Sequence, residues 1–136
     1  MFVTAWCGIY EISTGRLTCA NAGHEFPALK GAGKEFVLYE DEHGIPLAIM
    51  EEAVYEEYEL RLGVGDTLFV YTDGVPEAAN KAGEQFGEER MLKALNAASV
   101  DKPYSVCIRV KDKVNHFEAG SDPFDDLTML CFKRLR

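Results

Sequence analysis

Apolar residues enter this chain in short runs cut by turn signals, and only later do they fall into helical spacing. Residues 2–11 are mostly apolar, Ser13-Thr14-Gly15-Arg16 reads as a turn, and Leu17-Thr18-Cys19-Ala20 resumes the run, which predicts a hairpin. Asn21-Ala22-Gly23-His24 breaks the pattern. Residues 27–30 and 35–39 flank Gly31-Ala32-Gly33 and predict a second hairpin. Gly44-Ile45-Pro46-Leu47 reads as a loop with apolar anchors. Residues 54–62 are rich in Tyr and Glu with partial alternation, and Gly63-Val64-Gly65-Asp66 is a turn. Thr67-Leu68-Phe69-Val70-Tyr71-Thr72 is continuously apolar enough for a central strand covered on both faces.

After Asp73 the spacing changes. Pro76 fits the first turn of a short helix reaching Asn80. Gly83 and Gly87 frame a loop. Residues 88–98 place Met91, Leu92, Leu95 and Ala98 on one helical stripe behind an acidic first turn. A second helix is expected from 103 to about 118, with Val106, Val110 and Val114 at four-residue spacing, although β-branched residues work against it. Gly120-Ser121-Asp122-Pro123 is a loop, and residues 127–132 form a closing strand. The fold class is α+β: a mainly antiparallel sheet system, then two helices, then a strand that returns to the sheet.

The length of 136 residues allows one domain, and a 47% hydrophobic fraction with 11% aromatics permits a packed core and excludes a disordered chain. The net charge of −9 argues against a nucleic-acid binder or a membrane-surface module, both of which need basic patches. No apolar run approaches the length of a membrane span, and no signal-peptide pattern opens the chain. Cys7, Cys19, Cys107 and Cys131 form no C-x-x-C pair and sit in apolar surroundings. They read as buried, reduced thiols of a cytoplasmic protein rather than a zinc site or disulfide framework.

Two acidic positions stand out. Asp73 lies where a buried strand ends, and Asp125-Asp126 lies just before the last strand. A carboxylate there is costly to desolvate unless a cation meets it. Gly74 lets backbone or ligand come close. Two such sites on adjacent strands can share Mg²⁺ or Mn²⁺, which favour carboxylate and water oxygens. Equally, Asp-Gly is a common turn and Asp-Asp a solvated cap. A phosphoaspartyl-transferase loop is excluded, because Tyr71 stands where its nucleophilic aspartate belongs. His24, in a glycine turn, reads as a structural hydrogen-bonder. His43 and His116 have no evident partners. No Ser or Cys nucleophile can be paired with a His from spacing alone, and Gly31-Ala32-Gly33 leads into a strand rather than a phosphate-binding helix.

The order of these pieces carries more than any one of them. Met1-Phe2-Val3-Thr4-Ala5, Ala20-Asn21-Ala22-Gly23-His24 and Gly44-Ile45-Pro46-Leu47 are followed by Gly65-Asp66-Thr67-Leu68 and by Tyr71-Thr72-Asp73-Gly74-Val75-Pro76-Glu77-Ala78. Phe86-Gly87-Glu88-Glu89-Arg90 and Asp125-Asp126-Leu127-Thr128 complete the series. In that order, over the whole chain, they resemble the bacterial branch of metal-dependent serine/threonine phosphatases of type 2C, which includes stage II sporulation protein E and stress sigma-factor regulators.

The resemblance implies an antiparallel β-sandwich flanked by α-helices. It also implies two Mn²⁺ or Mg²⁺ ions, held mostly by aspartates and bridged by a water that attacks phosphorus in line. Asp73 matches a metal ligand, the aspartate of the Thr-Asp-Gly motif, and Asp125 matches another, the first aspartate of Asp-Asp-x-Thr. Asp126 supports Asp125. Gly74 lets the strand end approach the metals, and His24 supports the site from the Asn-Ala-Gly-His motif. The family's domain begins upstream of the segment matched by Met1-Phe2-Val3-Thr4, and that half carries further aspartate ligands. Residues 1–136 therefore resemble the C-terminal part of a single phosphatase domain, incomplete at the N-terminus and weak in metal affinity. The implied substrate is a phosphoserine or phosphothreonine on a regulatory protein such as an anti-sigma-factor antagonist. The alternative is a non-catalytic, truncated or degenerate protein-binding module. Open sheet edges left by absent strands would favour a homodimer.

Overall fold

The computed structural model describes residues 1–98, 102–121 and 126–136. The first apolar runs form the expected hairpin, β1 (Ala5–Glu11) paired antiparallel with β2 (Arg16–Ala22). The strand does not break at Asn21. It runs on to Ala22, because His43 and Gly44 pair in parallel with Asn21 and Ala22. The second hairpin joins β3 (Ala28–Lys30) and β4 (Phe36–Leu38). Part of the expected loop at Gly44 is the two-residue strand β5 (His43–Gly44). Strand β6 (Glu57–Arg61) covers only the later part of the Tyr- and Glu-rich segment, and β7 (Thr67–Tyr71) is the apolar run.

The described residues form two four-stranded sheets. In one, β2 is central, with β1 on one side and β6 and β5 pairing along it. The other has the order β4-β3-β7-β8, with β8 (Met129–Lys133) closing it antiparallel to β7. Leu17, Cys19 and Leu60 from the first sheet pack with Leu68, Leu29, Val70 and Phe132 from the second, so this layer is the interior of the sandwich. On its other face the second sheet presents Ala28, Phe36, Phe69 and Tyr71 to helices α1 (Gly87–Leu95) and α2 (Pro103–Glu118). Strand β7 thus sends Leu68 and Val70 one way and Phe69 and Tyr71 the other, which is why its sequence shows no polar alternation. Val106, Val110 and Val114 are all buried: the four-residue stripe overrides the low helix propensity of valine.

Tertiary hydrogen bonds, more than propensity, set where α1 stops. The side chain of Asn96 accepts from the Phe36 amide at 2.7 Å and donates to the Phe36 carbonyl at 3.0 Å, which ties the helix end to β4. Arg109 on α2 donates to the Ala94 carbonyl at 2.6 Å and the Leu95 carbonyl at 2.9 Å, so a cation satisfies acceptors that the last turn leaves open.

The short helix expected from Pro76 to Asn80 does not form; residues 73–77 are turns. Phe86 and Gly87 amides donate to the carbonyls of Ala78 and Pro76, and Asn80 Oδ1 accepts from the amides of Ala82 and Glu84. Those partners compete with the helical pattern and win, as asparagine often does through local backbone bonding.

The expectation of four buried thiols also needs correction. Cys19 is buried, Cys107 and Cys131 are half-buried, and Cys7 is exposed. Cys7 falls on the outward-facing alternation of β1, where no described element covers the sheet. Burial raises the Cys19 thiol to a pKa of about 11, with a hydrogen bond to Tyr58 opposing the rise. A thiol-specific reagent should therefore label Cys7 in the native protein and reach Cys19 only on unfolding. Native labelling of Cys19 as fast as Cys7 would contradict this placement.

Candidate functional site

The candidate site lies where β7 ends beside the segment leading into β8. The Thr72 amide donates to the Thr128 carbonyl at 3.0 Å, and the Thr72 hydroxyl reaches the carbonyl of Asp126 at 3.3 Å. One residue on, Asp73 is exposed, and its backbone carbonyl accepts from the Glu77 amide at 2.9 Å, which holds the turn. Gly74 is buried against the other segment. A Cβ there would stand 2.4 Å from the Asp126 carbonyl oxygen. The glycine is thus required by backbone packing, and this contact brings the Asp73 turn beside Asp126, whose side chain lies in an exposed residue. Asp125 lies outside the described residues.

His24 approaches the same strand end from the turn after β2. Its Nδ1 lies 3.2 Å from the Thr4 hydroxyl, and the backbone of Tyr71, two residues before Asp73, is among the groups that favour its protonated ring. Burial lowers its pKa, while the Tyr71 carbonyl and the Asp73 and Asp41 carboxylates push the other way. The next residue, Glu25, has its carboxyl raised by burial first and then by Glu88, Asp73 and Glu77. The Tyr71 hydroxyl is buried without a hydrogen-bond partner among the described residues, and its ionisation is disfavoured by burial and by Glu88 and Glu25. The field at this end of β7 is therefore negative.

A negative field and oxygen donors suit a hard dication. Among the described residues, however, no group of three or more His, Cys, Asp or Glu side chains is placed to hold a metal ion. Asp73 fits as one carboxylate donor in chemistry and exposure, and the described residues leave the rest of a coordination sphere open.

Sequence reading passed over Asn21, Asp41 and Glu25. Asn21 was visible as a break in a strand pattern and as a member of the Asn-Ala-Gly-His motif, with no role of its own. Asp41 sits in the acidic stretch Glu40-Asp41-Glu42, which reads as solvated, yet its side chain is fully buried. No sequence signal marks it. His43, without a partner in sequence, has its Nδ1 3.6 Å from Asp41 Oδ1. No helix among the described residues is long and apolar enough to cross a membrane.

The chain is similar to known proteins over nearly its full length. Protein IcfG from Synechocystis sp. is 33% identical over 136 residues, covering 98% of this chain and 21% of that protein. Phosphoserine phosphatase RsbU from Bacillus subtilis is 26% identical, covering 98% of this chain and 39% of that protein. The chain thus spans well under half the length of the curated relatives it matches. The phosphatase domain of the cell fate determinant SpoIIE from Bacillus subtilis, presoaked with manganese, shares its fold. The TM-score is 0.73 at 16% identity, over 96% of this chain and 56% of that one. The match to the profile of stage II sporulation protein E (SpoIIE) extends over residues 1–135, and the chain belongs to that family.

Proposed function

We propose that this chain is the C-terminal part of a metal-dependent protein serine/threonine phosphatase domain. Its substrate is a phosphoserine or phosphothreonine on a regulatory protein such as an anti-sigma-factor antagonist. The observation that carries this reading is the packing of Gly74 on the Asp126 carbonyl, which sets the Asp73 turn beside Asp126, the residue that follows Asp125 in the sequence. The relative named a phosphoserine phosphatase and the phosphatase domain that shares the fold supply the reaction class.

On this reading Asp73 and Asp125 hold Mn²⁺ or Mg²⁺, Asp126 and Gly74 fix the backbone between them, and His24 braces the end of β7. The two ions expected in the complete domain would supply Lewis acidity toward the phosphoryl oxygens. The protein's own share is to keep Asp73 exposed on a turn that cannot drift, with Glu25, Glu77 and Glu88 making the local field attractive to cations. The reading places the protein in the cytoplasm, with no nucleic-acid partner. A homodimer is compatible with it, since exposed Ile9 and Leu130 lie on β1 and β8, strands each paired on one side only among the described residues.

A non-catalytic binding module is the second reading, favoured for the isolated chain because its described residues do not assemble three metal-binding side chains. Mn²⁺-dependent hydrolysis of p-nitrophenyl phosphate and of a phosphoserine peptide separates the two. The full-length protein should hydrolyse both and the 136-residue chain alone neither. No turnover of either substrate by the full-length protein would leave the binding module.

A further inference from the structure

We propose that Asp41 is a positioning residue for the candidate site, acting through Asn21 on the turn that carries His24. This rests on the phosphatase reading above for its functional meaning, though not for its geometry.

Asp41 is a carboxylate with a fully buried side chain. A buried charge needs donors, and Asp41 has a specific set. The amide nitrogen of Asn21 lies 3.0 Å from each of its oxygens. The Tyr58 hydroxyl donates to Oδ2 at 2.5 Å and itself accepts from the Trp6 indole at 2.8 Å. His43 faces Oδ1 at 3.6 Å. Neither lysine nor arginine is in this set.

The Asn21 amide has a second duty. Its Oδ1 accepts from the His24 backbone amide at 2.7 Å, and its nitrogen donates to the His24 carbonyl at 3.0 Å. An asparagine side chain can be turned over, exchanging donor and acceptor. Here a reversed amide would set its oxygen against both Asp41 oxygens and the His24 carbonyl. Asp41 and the His24 backbone together fix which way Asn21 points, and Asn21 in that orientation clamps both backbone groups of His24. Pro46 closes the turn from the other side. Gly23 has φ +68°, and a Cβ on it would meet the Pro46 ring at 2.6 Å. The His24 ring is then held with its Nδ1 3.2 Å from the Thr4 hydroxyl, at the end of β7 where the Tyr71 backbone and the Asp73 carboxylate both act on it. The chain of contacts runs from a buried carboxylate in the loop before β5, through Asn21 on β2, to the turn that carries His24.

A core hydrogen bond that merely stabilises would affect the whole domain evenly, and a positioning residue would not. The test uses the full-length protein with isotope-labelled histidine, in Asp41→Asn and Tyr58→Phe variants. Tyr58→Phe removes one bond to Asp41 without touching the link to Asn21. In Asp41→Asn the His24 ring and amide resonances should shift, and Mn²⁺ affinity should fall about 10- to 100-fold, as for loss of an outer support of a metal site. Tyr58→Phe should leave both near wild type. If Asp41→Asn does not fold, Asn21→Ala should give the same His24 shifts, because it cuts the next link. Unchanged His24 resonances in the Asp41 or Asn21 variant would overturn the proposal. So would equal losses of Mn²⁺ affinity in the Asp41 and Tyr58 variants. A wild-type protein that binds no Mn²⁺ would overturn the phosphatase reading instead, while the resonances would still decide the positioning role.

Discussion

Asp73→Asn is expected to cut Mn²⁺-dependent phosphoester hydrolysis by the full-length protein at least about 10²-fold while leaving its folding intact. The substitution keeps the size of the side chain and one oxygen, and removes the charge that a hard dication requires. The fold should tolerate it. Asp73 is exposed, its carboxylate makes no hydrogen bond or ion pair among the described residues, and its turn is held by backbone, through the Glu77 amide on the Asp73 carbonyl. Its neighbours are acidic, since Asp73 is among the groups that raise the Glu25 carboxyl. Neutralising it should therefore relieve repulsion and keep or raise Tm in the metal-free protein. The diagnostic result is the split: activity lost, Tm held, and a Mn²⁺ titration moved to higher concentration. Wild-type rates in Asp73→Asn would remove the site from β7 altogether.

The fold was legible wherever one physical rule acted alone. The first hairpin is written in apolar runs around a glycine turn, and the structure pairs Ala5 with Ala22 through Glu11 with Arg16. The continuous run that became β7 is buried on both faces, and the valine stripe that became α2 has its three valines in the core. Legibility failed where particular side-chain hydrogen bonds, local or distant, or the covering of one sheet face decide the matter. Pro76 is a good helix start, yet Asn80 binds the amides of Ala82 and Glu84 and the chain turns instead. The stripe through Ala98 predicts a longer α1, but Asn96 bonds to Phe36 and the helix ends at Leu95. Cys7 lies in an apolar run and still faces outward, because alternation on β1 depends on which sheet face is covered.

At the candidate site the same division holds. Asp73 and Gly74 are conspicuous because a charge and a glycine follow an uninterrupted apolar strand. The reason for the glycine is a backbone carbonyl 52 residues later in the chain, which no local pattern contains. His24 is visible as a residue in a glycine turn, while its supports are not. Asn21 reads as a strand breaker, and Asp41 as one of three consecutive acids on a solvated loop. Burial turns that ordinary aspartate into an acceptor for Asn21 and Tyr58. Burial is a tertiary quantity, and this part of the sequence does not encode it locally.

Gly74→Ala should be the most damaging small substitution near the site. Gly74 does not lie in the left-handed region, so an alanine meets no backbone strain, and the cost is entirely contact. Its Cβ would stand 2.4 Å from the Asp126 carbonyl oxygen and 3.1 Å from the carbonyl carbon. Both are backbone atoms of the segment that leads into β8, so no flexible side chain can swing aside. The β7 turn and the Asp126 segment must separate by several tenths of an ångström or more. Overpacking of this kind costs about 1–3 kcal/mol, which urea unfolding would read as a lower midpoint at unchanged slope. The loss of activity should be larger than that destabilisation explains. The same separation moves Asp73 relative to Asp126, and a displacement near 1 Å at a reacting centre costs about 10²-fold. At temperatures where Gly74→Ala is still fully folded, its turnover should therefore fall by about that factor. Full activity in the folded variant would mean that the two segments need not be held together for catalysis, and the reading of Gly74 as the joint of the site would fail.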